Sequence, residues 1–152
     1  MHGADDIEMN AELVYEDPGA ALAWLEKAFG FETRMVVRDA GQRILFAETG
    51  FGEHTVAIGP ERPPLRSPKN AGAPTQSVQV RFFNDVDEHC ARARAAGATI
   101  LREPELFFFG DRSYDAIDDE GHVWSFNQRM PGAAGPPPPG LTVTFPSRAA
   151  QD

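Results

Sequence analysis

The chain has a single cysteine, Cys90, in 152 residues, so an internal disulfide cannot form. It has no uninterrupted apolar run close to the length of a membrane span. Its start has no basic-then-apolar segment ending in a small-residue cleavage site. The expected location is therefore cytoplasmic, with no membrane partner. Basic residues are scarce, with 14 Lys and Arg against 23 Asp and Glu, a net charge of −9. Phosphate backbones need a basic face, so nucleic acid is not an expected partner and a small ligand is. Nucleotide motifs are missing too. "TGFGEHT" lacks the third glycine and the strand-then-helix setting of a dinucleotide fingerprint, which leaves Gly50 and Gly52 as turn residues. There is no P-loop, no serine nucleophile elbow and no paired CxxC.

What remains is ordinary for a globular chain, with 41% apolar and 24% charged residues. The order of elements carries the information. A lead-in (residues 1–9) precedes a strand at 10–16. "DPGAALAWLEKAFG" then reads as a helix with Asp17 as N-cap, Pro18 in the first turn and Gly30 as a left-handed stop. Strands follow at 31–38, 42–49 and 53–59, separated by glycine-containing turns. Residues 60–74, rich in proline and glycine, form a connector. The pattern then repeats: a strand at 75–83, a helix capped by Asp85 with Glu88 at capping-box spacing, and three further strands ending in "HVWSFNQR". The chain thus divides into a βαβββ module at 10–59, the connector at 60–74, a second βαβββ module at 75–130 and a proline-rich tail at 131–152. Internal duplication is the simplest reading. In the tail, "LTVTF" (141–145) alternates like a strand, either as a surface-docked tail or as an arm that adds an edge strand to a partner subunit.

The tandem modules, opened by "YEDPGAALAWLEKAFGFE" and closed by "GDRSYDAIDDEGHVWSF", resemble the vicinal oxygen chelate superfamily over residues 10–130. This is the glyoxalase, bleomycin-resistance and extradiol-dioxygenase group, and the likeness is to its PhnB-like and bleomycin-resistance-like branches. The resemblance implies an α+β fold in which curled mixed sheets surround a shared cavity, commonly in a homodimer. It also implies four wall positions for metal ligands, on the first and last strand of each module. Here these fall at Asn10, Ala57, Ser77 (or Val78) and Ser125. None offers a carboxylate or an imidazole, so no metal and no cofactor is expected.

Period-two alternation from these positions places Asn10, Glu12, Val14, Thr55, Ala57, Ser77, Gln79, Arg81, Val123, Ser125 and Asn127 on the concave side. Phe46 and Glu48 from the third strand, and Arg112 and Tyr114 from the seventh, are further candidates. Trp124 and Phe126 then form the structural face of the last strand. Glu12, Glu48, Arg81 and Arg112 are expected either to pair with one another or to anchor a ligand. The histidines read as terminal, turn or exposed-helix residues (His2, His54, His122 and His89), and Cys90 reads as core. The expected function is metal-independent binding of a planar or aromatic small molecule, as in drug-sequestering, antibiotic-resistance-like relatives. The alternative is an enzyme: a metal-free isomerase, epimerase or lyase using Glu12, Glu48 and Tyr114 for acid–base chemistry, or a metal-dependent lyase or dioxygenase with displaced ligands.

Overall fold

The period-two and capping signals are realised in a computed structural model that describes residues 7–146. The ends of the lead-in and tail, and with them His2, lie outside the described residues. The first module runs β1 (Glu12–Tyr15), α1 (Pro18–Phe29), β2 (Glu32–Arg38), β3 (Ile44–Phe51) and β4 (His54–Pro60). The second runs β5 (Ser77–Phe82), α3 (Val86–Ala95), β6 (Thr99–Leu106), β7 (Asp111–Ile117) and β8 (Val123–Arg129). Between them the connector contains a short helix, α2 (Pro68–Ala71), started by Ser67, whose side chain accepts from the Lys69 N–H. Periodicity could not show it, because one turn of helix has no period.

The duplication is visible in the sheets, whose strand orders are β1-β4-β3-β2 and β5-β8-β7-β6. In each, the first strand pairs in parallel with the last, and the rest is antiparallel. Asp17 caps α1 by accepting from Ala20 N–H, and Gly30 ends it at φ 77°. Gly50 has no alternative in the β3–β4 hairpin, since a Cβ there would lie 2.0 Å from the His54 carbonyl oxygen.

One face of each sheet packs on its helix, and the two helix layers meet in a common core. Phe29, the last residue of α1, and Phe31, just past it, touch Trp124 and Phe126 of β8, with ring centroids 4.6 Å apart for Phe29–Phe126 and 5.2 Å for Phe31–Trp124. Trp24 donates its indole N–H to the Ala96 carbonyl. Arg92 on α3 donates to the Glu26 and Lys27 carbonyls, capping the C-terminal end of α1 from the other module. His89, expected on an exposed face, is instead buried in this interface with Cys90. It falls on the stripe of Val86, Cys90 and Ala93, three residues after Val86. His122 is also buried, with Nε2 on the Val14 carbonyl.

The β7–β8 turn ties the modules by hydrogen bonds. Asp118 accepts from the Tyr15 hydroxyl at 2.5 Å and the Trp124 indole at 2.9 Å, as well as from the N–H groups of Glu120 and His122. Glu120 accepts from the N–H groups of Glu16 and Asp17 and from the Ser67 hydroxyl. Its carboxylate sits where α1 begins, where the helix dipole favours negative charge. Residues 141–145 have no strand partner within the described chain, and Leu141, Val143 and Phe145 are exposed. No helix of the described residues is long and apolar enough to cross a membrane.

Removing the Glu120 carboxylate strands two backbone donors and one hydroxyl. Hydrogen bonds to a buried charge are each worth about 1.5–3 kcal/mol. Glu120→Ala should therefore lower the unfolding free energy by about 3 kcal/mol in urea titration, and Glu120→Gln by less.

Candidate functional site

Strand register decides which side chains share a wall. Glu12 lies beside Ala57, and Ala57 beside Glu48, which pairs with Met35. With Val14, Thr55 and Phe46 these form the helix-free face of the first sheet. In the second sheet Ser77, Gln79 and Arg81 lie beside Val123, Ser125 and Asn127. Ser125 faces Asp115 on β7, and Asn127 faces Ser113. Ser113, Asp115 and Asp111 therefore belong to this wall, and the sequence reading missed them. Arg112 and Tyr114 do not. Tyr114 pairs with Phe126 and is fully buried in the core, and Arg112 makes a two-pronged contact with Asp87 of α3 on the helix side. The signal was available: a turn that pairs Ile117 with Val123 forces Asp115, not Tyr114, opposite the wall residue Ser125.

Of the wall charges predicted from sequence, Glu12 and Arg81 are paired, each with a residue outside the predicted set. Glu12 is gripped by Arg62 of the connector, with contacts of 2.7 and 2.8 Å. Its carboxylate lies over Gly59, where a Cβ would fall 2.2 Å from Oε1. Arg81 donates to the buried Asp111 at 3.1 Å. Arg102 holds Asp115 through two 3.0 Å contacts and lies over the Phe107 ring. Asn127 spends its amide N–H groups on the Val80 and Ser125 carbonyls, and its oxygen on the Ser113 hydroxyl. Asn10 satisfies its amide by donating to the Thr55 carbonyl. Glu48 is half-buried on the first wall.

The four positions at which the resemblance implies metal ligands carry Asn10, Ala57, Ser77 and Ser125. Asn10 is used by the backbone, Ala57 has no donor atom, and the two serines are neutral hydroxyls. A divalent ion held here would have no anionic or imidazole ligand to offset its dehydration, so this donor set does not fit a metal. Among the described residues, no group of three or more His, Cys, Asp or Glu side chains could hold one.

The modules share a groove of about 350 Å³, walled by the β3–β4 hairpin on one side and β5 on the other. Phe31, Phe51, Phe82 and Trp124 supply aromatic surface, and Val56, Val78 and Val80 add aliphatic surface. The polar groups are few: Thr49, whose hydroxyl is spent on the Glu32 carbonyl, and His54, Thr55, Gln79 and Arg81. Thr55, Gln79 and Arg81 are thus brought together from the sequence-derived set, while Asn10, Glu12, Phe46, Glu48, Ser77 and Ser125 stay on the walls outside the groove. The aromatic members Phe31, Phe51 and Phe82 were missed because they come from strand ends and from the helix-side face.

Beneath the groove, His89 bridges the modules. Its Nε2 contacts the Phe29 carbonyl at 2.8 Å, and a carbonyl can only accept, so Nε2 carries the proton. Nδ1 is then the acceptor for the Tyr114 hydroxyl at 2.5 Å. Burial pushes the His89 pKa down to about 4, reinforced by the nearby Arg92 charge and opposed by the Phe29 contact. Burial also pushes the Tyr114 hydroxyl up. Both groups are neutral at physiological pH, and their hydrogen bonds tie α3 to β7 and to the end of α1.

The comparisons with known proteins agree with this geometry. The model of the Glyoxalase/Bleomycin resistance protein/Dioxygenase superfamily matches residues 9–126. An uncharacterized protein of Mycobacterium bovis is 26% identical over 125 residues, covering 79% of this chain and 82% of its own length. Among solved structures, TioX from Micromonospora sp. ML1 is similar at 33% identity and TM-score 0.62, covering 80% of this chain and 95% of TioX. A superfamily member from Sphaerobacter thermophilus shares the fold at 19% identity and TM-score 0.62, over 81% of this chain and 98% of its own.

The His89 site makes a pH prediction. A histidine whose pKa is about 4 folded and near 6.5 unfolded contributes stability that is complete above pH 6.5 and is lost as pH falls toward 4. Asp119 works the other way. Partial burial and then the Asp118 and Glu120 charges raise it to about 6, so its contribution declines as pH rises through the window from 4 to 6. Melting curves of His89→Gln against the parent should therefore show a smaller loss of stability in the variant on going from pH 7 to pH 5. An unchanged pH slope would contradict the neutral-histidine assignment.

Proposed function

The chain belongs to the Glyoxalase/Bleomycin resistance protein/Dioxygenase superfamily, and on that premise we propose that it is a metal-independent, homodimeric binder of a planar or aromatic small molecule. The observation that carries this reading is the groove between the modules. It combines four aromatic rings with a few polar groups, the composition of small-molecule pockets in general. The rings of Phe31, Phe51, Phe82 and Trp124 would stack on a flat ligand, and Gln79, Arg81, Thr55 and His54 would orient it. No carboxylate lines the groove, which suits a neutral or weakly acidic ligand. Sequestration of an aromatic antibiotic or metabolite is the role that fits such a site.

The acid–base alternative is weakened at two of the three residues named for it, and the third, Glu48, lies outside the groove. Tyr114 is locked in the core against His89, and Glu12 is held by Arg62 outside the groove. A metal-dependent reaction would need ligands that the four family positions do not supply.

A thermal-shift screen of aromatic antibiotics and planar metabolites tests the proposal. A true ligand present at 100 times its dissociation constant should add about 2.7 kcal/mol of stability. Phe82→Leu and Arg81→Lys, which keep the packing and the charge opposite Asp111, should each weaken binding about tenfold or more. Absence of any shift across the panel, or one divalent ion per subunit retained through dialysis against a chelator, would overturn the reading.

A further inference from the structure

The two sheets leave four free edges, and three of them are protected. β6 carries Arg102, Glu103, Pro104 and Glu105 and is broken by register shifts. β2 is likewise irregular and carries Glu32, Arg34 and Arg38. β1 is only four residues long; its Val14 carbonyl is taken by His122, and Arg62 of the connector is bonded to its Glu12. Charges, proline, bulges, short length and coverage are the devices that stop a sheet edge from accepting another strand. β5 has the fewest of them. Its six residues, Ser77–Phe82, pair with β8 in unbroken register, contain no proline, and carry one charge, Arg81. Its inner face, Val78, Val80 and Phe82, opens onto the groove.

The same chain carries an unpaired strand. Leu141-Thr142-Val143-Thr144-Phe145 alternates apolar and β-branched polar residues, a composition suited to strands. Yet its apolar members are 55%, 49% and 89% exposed. This segment lies beyond the region matched by the family, residues 9–126. We infer that residues 141–145 of one copy add as a strand to the free edge of β5 in a second copy.

Geometry favours a second copy over the arm's own chain. After β8, Met130 N–H bonds the Gly110 carbonyl and Gly135 N–H bonds the Phe108 carbonyl, which fastens the chain to the β6–β7 turn. In the sheet order β5-β8-β7-β6, that turn lies on the far side of β8 from β5. The proline run then leads into a turn, closed by the Leu141 N–H on the Pro138 carbonyl with Gly140 at φ 88°, and residues 141–145 pair with no strand of their own chain. Each copy has both an arm and an open edge, so the exchange is reciprocal and closes as a twofold dimer. With Leu141, Val143 and Phe145 on the side of Val78, Val80 and Phe82, the arm roofs the groove. Thr142 and Thr144 then share a face with Ser77, Gln79 and Arg81. The contact is between protein chains and stands whether or not the groove binds a small molecule.

Cross-linking of the full chain tests it. Chains carrying Gln79→Cys are mixed under mild oxidation with chains carrying either Thr142→Cys or Thr144→Cys. The expected result is a disulfide-linked species of twice the chain mass in at least one mixture. Amide exchange supplies a second measurement that needs no cysteine. β5 protection in the parent should fall about tenfold or more in Val143→Pro, whose substitution lies in the exposed arm and leaves the core intact. Three outcomes would overturn the inference: no mixed cross-link, linkage only within one chain when both cysteines are placed in it, or β5 protection unchanged by Val143→Pro.

Discussion

The β7–β8 turn is the constraint on which the rest of the structure rests. Through Asp118 and Glu120 it reaches β1, the start of α1, the connector and β8, so both modules are positioned by one five-residue loop. Both carboxylates are buried with all partners supplied, the condition under which buried charge holds geometry rather than weakening it. The relative placement of β5 and the β3–β4 hairpin, and hence the width of the groove between them, follows from this tie together with the Phe29–Phe126 and Phe31–Trp124 contacts.

The fold was legible because its signals are local. Asp17, Pro18 and Gly30 bracket α1, and Asp85 starts α3, whatever the tertiary context. Wall residues on β1, β4, β5 and β8 were legible for the same reason, since a period of two assigns every side chain of a strand once one is placed. Arg112 and Tyr114 were misassigned because no residue of β7 had been anchored to a partner strand. His89 was misread because polarity was weighed above its place on the apolar stripe of α3.

The groove was legible only in part. Its polar members Thr55, Gln79 and Arg81 follow from alternation, but its aromatic wall is assembled by packing between modules. That packing brings Phe31 and Phe51 to Phe82 and Trp124 across long sequence separations. The Glu12–Arg62 pair is another case, since nothing in the pattern of a proline-rich connector announces that one of its arginines folds back onto a strand fifty residues earlier. Pattern fixes faces, whereas partners depend on where the chain returns.

The Arg92 contact bears on the history of the duplication. Two repeats that arose as copies would at first each have ended their helix with their own atoms. Here the last carbonyls of α1 are satisfied by a side chain borrowed from α3, and the start of α1 is satisfied by the turn after β7. The first helix keeps its own caps, Asp17 and Gly30, and the second repeat adds a further set of contacts at both ends. The repeated plan is thus stitched across its seam by side chains that only the second repeat supplies.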